Sequence, residues 1–189
     1  MIWELAAITV TVLNIQVSRN ILLLQSHIAS HAQEVPLHDS LHGIVSPGTS
    51  LFLSRVVNSV VHGVFVFTLC HSIRIGTLTK MVDGVSLLWT SRALMNVMTR
   101  LPSPTFNCRH LKSIFQSKNQ CNDLMFSGHQ AILCLCLHHL VTVNYIGSKT
   151  GVFFVVCSVL AISLSGDHYT IDTIVGTAAA YILAGIVNL

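Results

Sequence analysis

Charged side chains are scarce in this sequence of 189 residues. Only 9% of the residues are Asp, Glu, Lys or Arg, while 52% are hydrophobic. An average soluble domain carries about 25% charged residues, so the composition excludes an ordinary soluble protein and predicts an integral membrane protein. The basic residues give a net charge of only +3 and form no basic stripe with interleaved aromatic residues, which argues against a nucleic-acid partner.

Metal-binding spacings are also missing, although the chain has six cysteines and 11 histidines. No cysteine spacing resembles a zinc site, and Cys134 and Cys136 point to different faces of a helix. Cysteines within helical apolar runs usually behave as small buried hydrophobes. Four are of this kind, namely Cys70, Cys134, Cys136 and Cys157. We therefore expect no metal and no other cofactor. Histidines that lie in or at the predicted helices, such as His62, are interpreted as packing or interfacial residues.

Long apolar runs fill most of the chain. A helix needs about 20 apolar residues to cross a hydrocarbon core of about 30 Å. Six segments approach that length, and the predicted helices are Trp3–Leu24, Leu51–Ile73, Leu78–Met98, Phe126–Val143, Gly151–Ser165 and His168–Leu189. The first is interpreted as a retained helix, because it lacks the small-residue cleavage site of a signal peptide. We predict an all-α, polytopic bundle of six transmembrane helices that forms one domain over residues 1–189.

Six spans place the first, third and fifth connections on one side of the membrane. Lysine and arginine do not fix the orientation, because the two sides carry them equally: Arg74, Lys80 and Lys149 on one, Arg109, Lys112 and Lys118 on the other. No apolar helix has the paired, mid-membrane charges that a proton-coupled transporter needs. The residues that could take part in catalysis lie instead in the first, third and fifth connections or at the helix ends on that side of the membrane.

The strongest motif runs from Asp167 to Asp172 at the start of the last apolar segment. On a helix, His168 and Asp172 lie on one face, close enough for the carboxylate to accept a hydrogen bond from the imidazole. The other ring nitrogen is then a nucleophile that can attack phosphorus and form a phosphohistidine. The alternative is a histidine that reaches the membrane interface beside an aspartate that caps the helix.

A second motif, from Asp123 to His129, precedes the fourth helix. Ser127 fits an N-cap, Gly128 lets a backbone approach a ligand, and the free amides of a helix start bind phosphate well. His129 beside them is placed to act as general acid and base. An interfacial turn with a solvated histidine is the alternative. The two motifs occur on the same side of the membrane, at the starts of two helices, and this favours a shared site.

The combined pattern resembles the two catalytic motifs of the sphingomyelin synthase family. Three further stretches agree with that family in the expected order, so the resemblance covers about residues 34–172. The matching positions are Cys121, Asn122 and Asp123 with Ser127, Gly128 and His129; His168, Tyr169, Thr170 and Asp172; Pro36 to Asp39; Arg92 to Thr99 with Leu101 and Pro102; and Phe106 to Cys108.

The resemblance implies transfer of phosphocholine or phosphoethanolamine from a glycerophospholipid to ceramide, at a lumenal or extracellular active site. His168 inherits the role of nucleophile, Asp172 that of its orienting partner and His129 that of acid and base. The substrate-binding candidates are Arg92, Arg100, Ser127, Gly128, Asp39, Asp123 and Tyr169. Arginines suit this role because a guanidinium binds phosphate oxygens in a bidentate manner.

The resemblance also sets expectations about the protein's surroundings. Membrane lipids are the expected partners, with a homo-oligomer as a further possibility. The expected location is the Golgi, the endoplasmic reticulum or the plasma membrane. Cys108 and Cys121 lie in a connection that the family places in an oxidising lumen, so a disulfide between them is a hypothesis.

Departures from the family pattern leave other substrates open. Asn122 replaces a glycine, Gln130 a common threonine and His38 a proline. Related enzymes pass phosphocholine to diacylglycerol, and lipid phosphate phosphatases use the same triad with water as acceptor. The phosphatase pattern has a Ser-Arg pair where this chain has Ala161 and Ile162, which favours the transferase. A non-catalytic relative is less favoured, because all three triad residues are present.

Overall fold

All regular structure in the described part of the chain is helical. The computed structural model describes residues 37–98 and 126–189, and before them only Thr9, Val12 and Gln16. Within these ranges lie five helices, which are α1 (Pro47–Ile75), α2 (Leu78–Met98), α3 (Gly128–Thr142), α4 (Ser148–Ser165) and α5 (Thr170–Ile186). The all-α prediction is confirmed for these ranges, whereas the predicted helix Trp3–Leu24 lies almost entirely outside them.

Helix boundaries differ from the predicted ones where capping residues lie outside the apolar run. The predicted bounds of α2 are confirmed. Helix α1 begins four residues before the predicted Leu51, because the Ser46 hydroxyl accepts a hydrogen bond from the Thr49 amide (3.3 Å) and Pro47 fits the first turn without needing a donor. Helix α5 begins later than predicted, at Thr170, so the predicted helical position of His168 is wrong.

Two of the five helices are long and apolar enough to cross a membrane, namely α1 with 29 residues and α4 with 18. Helix α5 is apolar but has 17 residues. The predicted six-span bundle is therefore not confirmed as a whole. Both long helices expose large apolar side chains, among them Phe52 and Val66 of α1 and Phe153 of α4. Contiguous exposed apolar surface of this kind is typical of a face that meets lipid or a partner.

Helix α3 lies at the centre of the bundle. It packs against each of the other four helices, and all of its residues from Gln130 to Leu137 are buried. A helix that is apolar on all sides gains its stability by being enclosed. The one strongly polar side chain in this run, Gln130, donates from Nε2 to the Thr177 hydroxyl of α5 (3.0 Å). The beginning of α3 therefore has a fixed position relative to α5.

Helix α5 approaches the start of α3 at a glycine. A Cβ atom at Gly176 would lie 2.8 Å from the Ser127 carbonyl oxygen, which is too close for any side chain. Nearby, the Ser127 amide donates to the Asp172 carbonyl oxygen (3.0 Å). The two helix starts therefore touch through their backbones.

We expect Gly176→Ala to destabilise the protein by about 1 to 3 kcal/mol, the usual cost of inserting a methyl group into a packed interface. The obstacle is a backbone carbonyl, which cannot rotate away. Thermal unfolding in detergent measures the effect. Gly185→Ala in the same helix is the matched control, because a Cβ there meets nothing within 4 Å; it should leave the melting temperature unchanged or raise it slightly. Equal melting temperatures for the two variants would contradict this account of the interface.

Candidate active site

The two histidines of the sequence motifs lie side by side. The imidazole rings of His129 and His168 have centroids 6.1 Å apart. His129 is the second residue of α3, and His168 lies in the short connection between α4 and α5. The structure therefore brings together two residues that are 39 positions apart in the sequence.

The connection that carries His168 is a tight turn. Helix α4 ends at Gly166, which has a left-handed backbone conformation (φ 72°) and donates its amide to the Ser163 carbonyl. Glycine adopts this conformation at little cost, which lets the chain reverse within one residue. Only Asp167 and His168 then precede Tyr169, the N-cap of α5. His168 is buried in this turn, with 6% of its surface exposed.

The expected hydrogen bond between His168 and Asp172 is not formed. Because His168 precedes the helix, the four-residue spacing does not place it on a common face with Asp172. The Asp172 carboxylate instead accepts a hydrogen bond from the Tyr169 amide (3.2 Å). Within residues 37–98 and 126–189, Nδ1 of His168 is buried and has no hydrogen-bond partner. The prediction was wrong because it began the helix two residues too early, at His168 and not at Thr170.

His42, from the connection before α1, holds the backbone of the His168 turn. Its Nε2 atom donates to the His168 carbonyl oxygen (3.0 Å), because a carbonyl oxygen can only accept. The His42 ring also stacks on Tyr169, with ring centroids 5.5 Å apart. No local sequence pattern indicates this role, since one histidine in a polar connection is ordinary.

Asp39 caps α5 from the same connection. Its carboxylate accepts hydrogen bonds from the Thr170 amide (2.6 Å), the Thr170 hydroxyl (2.9 Å) and the Leu41 amide (3.0 Å). Burial alone would raise the pKa of Asp39, but these hydrogen bonds outweigh it and hold the pKa below its usual value, so the residue is charged. The carboxylate of Asp39, which was predicted to bind substrate, thus accepts hydrogen bonds from groups within the protein.

Tyr169, another predicted substrate-binding residue, is 2% exposed. Its phenolic oxygen accepts a hydrogen bond from the Leu37 amide (2.9 Å). Burial raises the pKa of this phenol, so it remains protonated at neutral pH. The contacts of Tyr169 join the first connection to α5, next to His168.

The start of α3 has backbone amides that are not used within the helix. Ser127 is the N-cap, as predicted, and its hydroxyl accepts a hydrogen bond from the Gln130 amide (3.3 Å). The amides of Gly128 and His129 lie in the first turn, where no intrahelical carbonyl is available to them. Such amides, with the positive end of the helix dipole, stabilise a bound phosphate.

Arg92 of α2 reaches the same helix start. Its Nε donates to the Phe126 carbonyl oxygen (3.4 Å), and its guanidinium lies over the Trp89 ring at 5.3 Å. A Cβ atom at Gly128 would lie 3.1 Å from the guanidinium carbon. Glycine at this position therefore makes room for the arginine. The expectation that Gly128 lets the helix backbone approach a ligand stays a prediction.

Burial determines the protonation state of His168. Burial lowers its pKa, and the neighbouring charges of His129 and Arg92 lower it further, well below the usual value. The imidazole is therefore neutral at neutral pH, which is the form that carries a nucleophilic lone pair.

Several predicted residues lie outside the described ranges. They are Arg100, Asp123 and the cysteine pair Cys108 and Cys121. Within the described ranges, no group of three or more His, Cys, Asp or Glu side chains stands close enough to hold a metal ion. The cysteines there are free thiols, of which Cys134 and Cys136 are buried while Cys70 and Cys157 are exposed.

One further histidine borders the site and was not predicted. His62 of α1 contacts His129 edge-on, with ring centroids 6.4 Å apart. The sequence analysis treated it as a packing residue. Its position in the middle of a long apolar helix is the signal that was available, because ionisable residues there are costly.

Residues 120–187 match the family model described as PAP2 superfamily C-terminal. The match includes His129, His168 and Asp172, while Arg92 and Asp39 lie before it. Members of this superfamily are phosphatases and phosphotransferases, and the match indicates such an activity on a lipid-like substrate. Neither the curated proteins nor the solved structures give a significant match to this chain.

We expect Asp39→Ala to cost about 1 to 2 kcal/mol, the usual effect of losing a helix cap. The loss should be local, because the carboxylate bonds Thr170 at the start of α5. Hydrogen exchange followed by mass spectrometry should show faster exchange in residues 166–172 and little change in α2. Ser40→Ala, at the exposed neighbouring position, is the control. Unchanged protection of residues 166–172 in Asp39→Ala would contradict the capping role.

Proposed function

We propose that this protein transfers the phospho-headgroup of a glycerophospholipid to ceramide through a phosphohistidine on His168. The observation that carries the proposal is the pair of imidazoles, 6.1 Å apart, beside Arg92 and the start of α3. The superfamily match supports the coarser activity, phosphoryl chemistry on a lipid-like substrate. The resemblance of the motifs to the sphingomyelin synthase family supports the choice of ceramide.

In the first step, a ring nitrogen of neutral His168 attacks the phosphorus of the donor lipid. The bond between phosphorus and the diacylglycerol oxygen breaks, and His129 gives a proton to that oxygen. Burial lowers the pKa of His129 to about 4, so its protonated form becomes more populated when the negative phosphate binds beside it. Diacylglycerol leaves, and the headgroup phosphate remains bonded to His168. Asp172 acts on His168 only indirectly, because its carboxylate accepts the amide of Tyr169, the residue that follows His168 (3.2 Å).

In the second step, the acceptor hydroxyl attacks the same phosphorus. His129, now neutral, takes the hydroxyl proton, and the bond between phosphorus and His168 breaks. The product is a lipid with the transferred headgroup, and both histidines return to their starting states. Covalent catalysis in this form divides one difficult transfer into two easier ones.

Phosphate charge is stabilised by groups that converge on the start of α3. Arg92 supplies a permanent positive charge, and the amides of Gly128 and His129 supply aligned donors. A guanidinium that already lies against this helix start, as the 3.1 Å approach at Gly128 shows, needs little reorganisation when phosphate binds. We assign Arg100 and Asp123 no part in the geometry, because they lie outside the described residues.

A lipid phosphate phosphatase is the second candidate, since the matched superfamily includes phosphatases. There, water would take the phosphoryl group from His168. The phosphatase pattern has a Ser-Arg pair at the two positions that are Ala161 and Ile162 in this chain. Ala161 lines an apolar groove, and Ile162 is 1% exposed. This part of α4 therefore offers no cation to a phosphate group. Diacylglycerol as acceptor is the other alternative.

The proposed setting is a membrane that the chain crosses several times. Two helices meet the requirements for crossing, and both proposed substrates are lipids. We propose an active site that opens sideways to the bilayer, on the lumenal or extracellular side of the Golgi, the endoplasmic reticulum or the plasma membrane.

The test is headgroup transfer in liposomes, with labelled phosphatidylcholine or phosphatidylethanolamine as donor and ceramide or diacylglycerol as acceptor. We expect labelled product on ceramide and its loss by at least about a thousandfold in His168→Ala, because the nucleophile is removed. His138→Ala, at the other end of the helix that carries His129, is the matched control and should keep most of the activity.

Other outcomes of this assay would identify one of the alternative functions. Release of water-soluble phosphocholine or phosphate alone would mean a hydrolase. Transfer to diacylglycerol alone would replace ceramide as acceptor. Full activity in His168→Ala, or no turnover with any pair of lipids, would overturn the proposal.

The proposed chemistry has a defined dependence on pH. Neutral His168 is the reactive form, and its pKa is lowered below 6.5. Activity should therefore persist as pH falls through 6.5 and disappear only below it, as pH passes the lowered pKa. In Arg92→Gln, the loss of a positive neighbour should raise this pKa and move the acid limb to higher pH. The pH profile of phosphohistidine formation measures both effects, and an acid limb centred above 6.5 in the unmodified protein would contradict them.

A further inference from the structure

Among the polar residues of α1, three follow one another at intervals of four. Ser54, Asn58 and His62, here called the α1 polar stripe, lie on one face of the helix, because residues four apart stand above one another. The stripe extends over about 12 Å at a rise of about 1.5 Å per residue. Polar side chains are uncommon within a helix that is apolar enough to span a membrane, and those present usually have a function or a partner.

One end of the α1 polar stripe reaches the turn that carries His168. Asn58 Nδ2 donates to the Ser54 hydroxyl oxygen (3.5 Å), and Ser54 lies near enough to the carboxylate of Asp167 to lower its pKa. Ser54 is 1% exposed, so these contacts are inside the protein. Burial raises the pKa of Asp167, against the opposing effect of Ser54 and Ser165.

These contacts fix the orientation of the Asn58 side chain. In the contact with Ser54, the Asn58 Nδ2 atom is the donor and the hydroxyl oxygen is the acceptor. Asn58 must therefore present its NH₂ group to Ser54, which directs its Oδ1 atom away from Ser54. Asn58 is partly exposed, and Oδ1 is a hydrogen-bond acceptor for a ligand donor.

The other end of the stripe reaches His129. The His62 ring meets the His129 ring edge-on at 6.4 Å. Its Nδ1 donates to the Asn58 carbonyl oxygen (2.6 Å), because a carbonyl oxygen can only accept. In the neutral ring the lone pair is consequently on Nε2. The stripe thus extends along one face of α1 from the neighbourhood of Asp167, the residue before His168, to His129.

An apolar groove of about 520 Å³ runs beside the stripe. Val57 and Val61, each adjacent in sequence to a stripe residue, line it together with Leu133, which is one turn beyond His129. Helix α4 forms the opposite wall with side chains that include Phe154 and Ala161. A ligand that occupies both surfaces has an uncharged polar head and an apolar chain.

We propose that the α1 polar stripe binds the polar groups of the acceptor lipid and selects an acceptor with an amide N–H, while the groove beside it takes an acyl chain of the same lipid. The inference rests on the proposed function and assigns a binding site to the second substrate, the acceptor lipid. Asn58 Oδ1 accepts the amide hydrogen of a ceramide-like lipid, which an ester-linked diacylglycerol does not have. The stripe carries no permanent charge, so the phosphate belongs with Arg92 and not here.

A site that hydrogen-bonds a substrate N–H discriminates strongly against an analogue without it, since the buried acceptor is then left unpaired. The acceptor hydroxyl, held at this stripe, is close to His129, the residue that takes its proton. The same arrangement explains why water is a poor competitor, because it gains nothing from the groove.

Binding of short-chain lipids to His168→Ala protein in detergent tests the inference without any turnover. We expect a short-chain ceramide to bind at least about tenfold more tightly than the matched diacylglycerol. Asn58→Leu, which has a similar volume and no polar atoms, should abolish this difference by weakening ceramide alone. Ser59→Ala, on the exposed face of α1, is the control and should keep it. Equal affinities in the His168→Ala protein, or a preference that survives Asn58→Leu, would overturn the inference.

The half-reactions of protein with His168 intact provide a second measurement. In Asn58→Leu, the yield of phosphohistidine from labelled phosphatidylcholine should persist, and its decay on adding ceramide should slow at least about tenfold. Equal losses in both half-reactions would mean that Asn58 only supports the fold, and would overturn the inference. Absence of phosphohistidine in the unmodified protein would instead overturn the proposed function, while the binding result would still decide the acceptor subsite.

Discussion

The N-cap residue of α5 has a side chain that does not cap the helix, and the geometry of the site depends on how the amides at this helix start are satisfied. Tyr169 occupies the N-cap, and its phenol is turned away to the Leu37 amide. Asp39 supplies the missing acceptor by taking two hydrogen bonds from Thr170, and Asp172 takes the Tyr169 amide. Without these bonds the start of α5, and the turn with His168 before it, would lose its fixed position.

Two glycines provide the space in which the start of α3 packs against its neighbours. At Gly128 the missing side chain makes room for the Arg92 guanidinium, and at Gly176 it makes room for the Ser127 carbonyl. The start of α3 is therefore enclosed by a cation on one side and by α5 on the other. A helix terminus enclosed in this way keeps its dipole in a region of low dielectric constant, where its effect on a phosphate group is larger than in water.

The sequence predicted those features that depend on local pattern. The bounds of α2 and the N-cap at Ser127 follow from hydrophobic runs and capping chemistry, and the pairing of His129 with His168 follows from two motifs at helix ends. The contact of Asp39 with Thr170 links residues 131 apart, and no local rule indicates it. The orientation of Asp172 was mispredicted because a four-residue spacing has structural meaning only inside a helix, and α5 begins after His168. His62 was treated as a packing residue because proximity to His129 depends on how α1 crosses α3.

The distance in sequence between the first connection and α5 has a consequence for how the protein is made. Asp39 and His42 are synthesised long before residues 168–170, with which they pair, and a contact between such distant segments forms late because it closes a long loop. During synthesis, the helices that precede α5 exist while the nucleophile and its supports are still separate. The enzyme that we propose would therefore acquire its reactive histidine only after its last described helix has entered the bundle, so unfinished chains would remain inert toward the lipids around them.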